Sequence, residues 1–71
     1  MKGLQEKFLN SMCGSGTPAT FYLMNGYQMK GILKDFDDYT LMVECTGVTQ
    51  MVFKHAVSTI LPHRRVELEA W

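Results

Sequence analysis

A chain of 71 residues has room for one domain, and at that size folding hides only roughly 60% of the surface the unfolded chain exposes, so its own core is marginal. Seven basic residues balance seven acidic ones, which removes the simplest nucleic-acid signature, a strongly basic chain. No apolar run approaches the ~20 residues needed to cross a bilayer.

From Gly3 to Met12 the apolar residues Leu4, Phe8, Leu9 and Met12 share one helical face, and Cys13-Gly14-Ser15-Gly16 is expected to end that helix. So short a helix does not persist alone in water and must pack on something. After Pro18 the pattern changes to strands. Thr20 to Met24 is a first strand, closed by Asn25-Gly26, a dipeptide that predicts a type I′ hairpin. Tyr27 to Phe36 returns, with Gly31 marking a bulge or bend in its middle. Asp37-Asp38 turns the chain into a third strand, Tyr39 to Glu44, and Thr46-Gly47 turns it again into a fourth, Gln50 to Phe53. Lys54-His55 interrupts the pattern before a fifth strand, Ala56 to Leu61, closed by Pro62.

One helix and five short, tightly connected strands predict a mainly β fold, a strongly bent antiparallel sheet or small barrel. If the fourth and fifth strands are its edges, Val52, Phe53, Val57, Ile60 and Leu61 make them too apolar to stay exposed. Pairing with the same edges of another copy would cover them, and a closed monomeric barrel would remove them. Cys13 and Cys45 lack C-x-x-C spacing, and Met1 to Glu6 lacks the apolar run of a secretory signal. A reduced cytoplasmic compartment is therefore expected, with both thiols acting as small apolar side chains.

Enzyme chemistry finds little support: the chain has no serine–base pattern, no Gly-rich phosphate loop, and only His55 and His63 as histidines. A small β-barrel that binds protein without binding RNA remains a second reading, because such folds host many functions.

In chain order, Leu4-Gln5-Glu6, Phe8-Leu9-Asn10, Tyr22-Leu23-Met24-Asn25-Gly26, Met29-Lys30-Gly31, Phe36-Asp37, Gln50-Met51-Val52 and Phe53-Lys54-His55-Ala56 with Ser58-Thr59 closely resemble the Hfq family. The likeness spans residues 4 to 62 and implies an Sm-like domain over 1–62 with a short tail over 63–71. It further implies a homohexameric ring acting as an RNA chaperone in post-transcriptional regulation, with small regulatory RNAs and messenger RNAs as partners. No cofactor, metal, small-molecule substrate or membrane is implied.

By that resemblance, U-rich RNA winds around the pore on a proximal face, where Tyr39 stacks bases, Gln5 bonds a uracil edge and Lys54 and His55 bond base or sugar-phosphate groups. The opposite, distal face would take A-rich RNA. There Tyr22 and Met29 would stack a purine and Gln50 would read its edge, with contacts from Asn25, Gly26, Lys30 and Thr59. Aromatic stacking with polar contacts to splayed bases is how proteins commonly hold single-stranded RNA.

Some positions depart from the family pattern. Cys13-Gly14-Ser15-Gly16 stands where strongly annealing members carry rim arginines, leaving Asn10 and Phe36 as the rim residues. Asp38 places an acid beside the proximal phosphate path, which costs affinity. Phe53 replaces a commoner tyrosine, and Tyr27 and Gln28 also depart from the usual residues. The basic run His63-Arg64-Arg65 could reach RNA, and Trp71 has no assigned role.

Overall fold

Leu9, Met12 and Cys13 recur at helical spacing, and in the computed structural model, which describes residues 3–64, they lie against the sheet. Helix α1 (Leu4–Ser15) buries Leu9 and Met12 completely. It runs one turn further than its apolar spacing predicts. Cys13 packs on the core and its thiol donates to the Lys34 carbonyl at 3.0 Å, while Ser15 donates its hydroxyl to the Met12 carbonyl at 3.3 Å. The tertiary contact of Cys13 and the local bond of Ser15 carry the helix through this segment, and Gly16, at φ 63°, makes the left-handed C-cap. Leu4 belongs to the expected apolar face but is 57% exposed in the first turn.

Five antiparallel strands follow: β1 (Pro18–Leu23), β2 (Gln28–Phe36), β3 (Thr40–Cys45), β4 (Val48–Phe53) and β5 (Val57–Pro62). They form one sheet in the order β4-β3-β2-β1-β5, so β4 and β5 are its edges. A short 3₁₀ turn (Lys54–Ala56) separates the edge strands in sequence. Because β4 and β5 do not pair with each other, the sheet is open, and the monomeric closed barrel does not form.

Phe21, Leu33, Leu41 and Val43 fill the core beneath α1, with Ala19, Leu9 and Met12. The sheet bends at β2, which carries β1 along its first half and β3 along its second. Gly31 sits at the handover. A Cβ there would run into the Glu44 carbonyl oxygen and lie 2.9 Å from the Cys45 sulfur, so only glycine lets β3 approach. A register shift between Leu33 and Asp35 adds a bulge just beyond.

The type I′ geometry expected at Asn25-Gly26 is found instead at Thr46-Gly47, which the sequence marks only as a turn. At Asn25-Gly26 only Gly26 has positive φ, 93°. Gly26 N–H donates to Leu23 O and Leu23 N–H to Tyr27 O, closing a three-residue loop over Met24, Asn25 and Gly26 in place of the two-residue type I′ turn. The Asn25 carboxamide takes the Tyr27 N–H at 3.1 Å, a side-chain turn bond of the kind asparagine favours. Thr46-Gly47, by contrast, joins the paired residues Cys45 and Val48 with φ of 48° and 82°. Positive φ at both central residues is the type I′ signature, so a β-branched residue occupies a left-handed position there.

Candidate nucleic-acid interface

Asp37 builds the turn between β2 and β3. One of its oxygens accepts the Tyr39 N–H at 2.9 Å, the Thr40 N–H at 2.8 Å and the Thr40 hydroxyl at 2.6 Å. These bonds, with the Thr40 hydroxyl first, hold its carboxyl below the ordinary carboxylate value. Tyr39 is lifted clear of β3 by this turn and is 77% exposed, a position that suits a stacking platform better than a half-buried strand residue. The Lys54 N–H donates to the Tyr39 carbonyl at 2.8 Å, which ties the turn to the 3₁₀ segment and sets Tyr39 beside Lys54.

His55 stacks on Phe53, ring centroids 5.7 Å apart and planes 18° from parallel. Lys54 points the other way, its ammonium 5.4 Å from the centre of the Phe36 ring. Two spaces open around Lys54 and Gln5. An apolar groove of about 260 Å³ lies between α1 and β5, bordered by Phe8, Val57 and Thr59. A polar cleft of about 520 Å³ holds Asn10, Phe36, Asp38 and, with them, the carboxylates of Glu6, Asp35 and Asp37. Gln5, Asp38, Tyr39, Lys54 and His55 therefore fall at one end of the molecule, and the rim pair Asn10 and Phe36 borders the same cleft as Gln5, Asp38 and Lys54.

The remaining residues do not gather in a single chain. Tyr22 pairs with Gln28 and Thr59, and Thr20 between Lys30 and Leu61, so alternation puts Tyr22, Thr59 and Lys30 on the outer face of the sheet. Met29 pairs with Phe21 and packs on the core from the other face. Gln50 is exposed on the edge strand β4, three strands away from β1. Asn25 and Gly26 stay exposed in the loop beyond Tyr22. A base touching both Tyr22 and Met29 would need two chains.

His63 is the residue whose surroundings sequence reasoning least anticipates. Its N–H donates to the Pro18 carbonyl at 2.8 Å, and its Nε2 lies 2.8 Å from the hydroxyl of Thr20, which is 4% exposed. The ladder thus continues past Pro62. Arg65 and Trp71 lie outside the described residues. Burial first, and then the charge of Asp35, raise the pKa of the Cys13 thiol, consistent with a packing role. Among the described residues no group of His, Cys, Asp and Glu could hold a metal ion, and no helix is long and apolar enough to cross a membrane.

Comparison with known proteins converges on one family. The family model described as "Hfq protein" matches residues 4–67. The RNA-binding protein Hfq of Moorella thermoacetica is 48% identical over 67 residues, covering 94% of this chain and 80% of that protein. That of a Geobacillus species is 44% identical over 66 residues, covering 93% and 89%. A 1.55 Å crystal structure of the pleiotropic translational regulator Hfq superposes with a TM-score of 0.82 at 32% identity, covering 83% of this chain and 98% of that one. Helix and bent sheet agree with that match: the chain belongs to the Hfq family of Sm-like RNA chaperones.

Proposed function

We propose that this chain acts as a cytoplasmic RNA chaperone, binding U-rich and A-rich single strands on opposite faces of a homohexameric ring and so acting on small regulatory RNAs and messenger RNAs. The sheet edges support self-association. Strands β4 and β5 are six residues each and carry exposed Val48, Met51, Phe53 and Leu61. Exposed apolar edges favour cover, and because the two edges differ, β4 of one copy meeting β5 of the next is a head-to-tail contact, of the kind that closes as a ring when the rotation between copies allows it.

The observation that carries the RNA reading is the Lys54–Tyr39 backbone bond, which joins the residue that bears a cation to the one that bears an exposed aromatic ring, at the place where the edge strands meet in sequence. Repeated around a ring, one lysine per chain concentrates positive charge while each chain stays neutral. Gln5, Tyr39, Lys54 and His55 then form the U-binding face, with Asp38 weakening it. Tyr22, Asn25, Gly26, Lys30 and Thr59 of one copy, with Met29 and Gln50 contributed across the ring, form the A-binding face. Asn10 and Phe36 offer a rim contact without arginines, so strand annealing at the rim is slow. Binding carries the function in this reading, and catalysis has no part in it.

Substitution at Lys54 and Tyr22 separates the faces. Lys54→Ala is expected to weaken oligo(U) and spare oligo(A), and Tyr22→Ala the reverse, the latter by about 5-fold or more because base–aromatic stacking is worth about 1–3 kcal/mol. Loss of both affinities in either variant would overturn the two-face arrangement.

A further inference from the structure

Lys54 stands at the wall between two spaces. It borders the apolar groove under α1 together with Thr59 and Val57, and it borders the polar cleft that contains Phe36 and Asp37. Its backbone is fixed by the bond to the Tyr39 carbonyl. Only the side chain is left to choose a side. It lies on the cleft side, with the ammonium 5.4 Å from the Phe36 centroid, in the attractive field of the ring face. Glu6, Asp35, Asp37 and Asp38 surround that cleft with carboxylates, which favour the same position.

One ring face holds one partner. A base that stacks where the ammonium lies must displace it, and an ammonium drawn to RNA in the groove leaves the ring bare. Either event breaks the contact between Phe36 and Lys54, and the second event then proceeds without that cost. We infer that this contact restrains Lys54 in the free protein and couples the polar cleft to the groove, so that RNA at either place favours RNA at the other. Linkage makes the effect mutual and limits it to the strength of the contact removed. For a cation over an exposed ring that is about 2- to 5-fold in affinity. The inference rests on Lys54 contacting RNA and goes further: Phe36, besides offering a rim contact, restrains Lys54 in the free protein.

Two measurements on the full-length protein test it. In the free ring the Lys54 ε-methylene NMR signal is expected to be shifted upfield by the Phe36 ring current, and saturation with a short oligo(U) is expected to remove the shift. Phe36→Leu keeps an apolar side chain without the ring and is expected to bind short oligo(U) about 2- to 5-fold more tightly. Phe36→Tyr is expected to behave as wild type, and Phe36→Leu combined with Lys54→Ala to match Lys54→Ala alone. A ring-current shift that persists in the RNA complex, or a folded Phe36→Leu protein that binds no tighter, would overturn the coupling. If Phe36→Leu does not fold, the wild-type titration decides by itself. Should Lys54→Ala bind oligo(U) as wild type does, the underlying assignment of Lys54 to RNA falls, an outcome distinct from a persistent shift with Lys54→Ala impaired.

Discussion

Asp37 accepts the hydroxyl of Thr40 at 2.6 Å, and the same carboxylate oxygen takes the N–H groups of Tyr39 and Thr40. Three donors on one oxygen fix the turn that presents Tyr39 and, through its carbonyl, Lys54. Asp37→Ala is therefore expected to lower the thermal midpoint at neutral pH and to weaken oligo(U) more than oligo(A). Folding depresses this carboxyl below its ordinary value of 3.8. Its stabilisation is thus complete above that value and disappears as the pH falls through the lowered native value. Wild type and Asp37→Ala should converge in acid; a constant gap down to the lowest pH at which the protein stays folded would rule out the carboxylate as its source.

Thr46 is a second position worth perturbing. Thr46 holds a positive φ that β-branched residues avoid, at a cost of about 1–3 kcal/mol. Thr46→Asn, which supplies the residue that tolerates this conformation, is expected to raise stability by about 1 kcal/mol. Urea unfolding at fixed protein concentration measures it, and an unchanged or lowered midpoint would show that the threonine is not strained.

Glycines at Gly31 and Gly14 should respond oppositely to alanine. A methyl at Gly31 meets the backbone of Glu44, and forcing the strands apart is expected to cost about 1–3 kcal/mol or more. Gly14 lies within α1 with nothing within 4 Å of its would-be Cβ, so Gly14→Ala should gain about 0.5–1 kcal/mol from helix propensity. Equal effects at the two sites would contradict the close approach of β3 to β2.

His63→Ala leaves the nearly buried hydroxyl of Thr20 without its partner. An unsatisfied buried hydroxyl costs about 1–3 kcal/mol, whereas removing both groups is milder. Thr20→Val added to His63→Ala should therefore recover part of the loss, and a purely additive double variant would show that the two side chains are independent.

Element order and the edge strands were legible in the sequence because alternation and turn residues are local signals. Three features were not, each for a tertiary reason. The helix outran its apolar spacing because Cys13 found the Lys34 carbonyl on another element. The Asn25-Gly26 dipeptide, a strong type I′ signal, was overridden as Met24 joined the loop and its N–H turned to the Ala56 carbonyl. His63, expected in the tail, is placed beside Thr20 by the strand register. Of the candidate site, the grouping of Gln5, Tyr39, Lys54 and His55 came from family likeness, since Lys54 and Tyr39 are 15 positions apart and no local pattern joins them. The Asp37-x-x-Thr40 spacing was a readable sign of the turn that does join them.

Native mass spectrometry with short oligo(A) and oligo(U) tests self-association and RNA binding together. An assembly of six 8.1 kDa chains carrying either oligonucleotide, and both at once when both are supplied, is the expected result. Folded single chains at micromolar concentration that capture neither strand would contradict the proposal at its root.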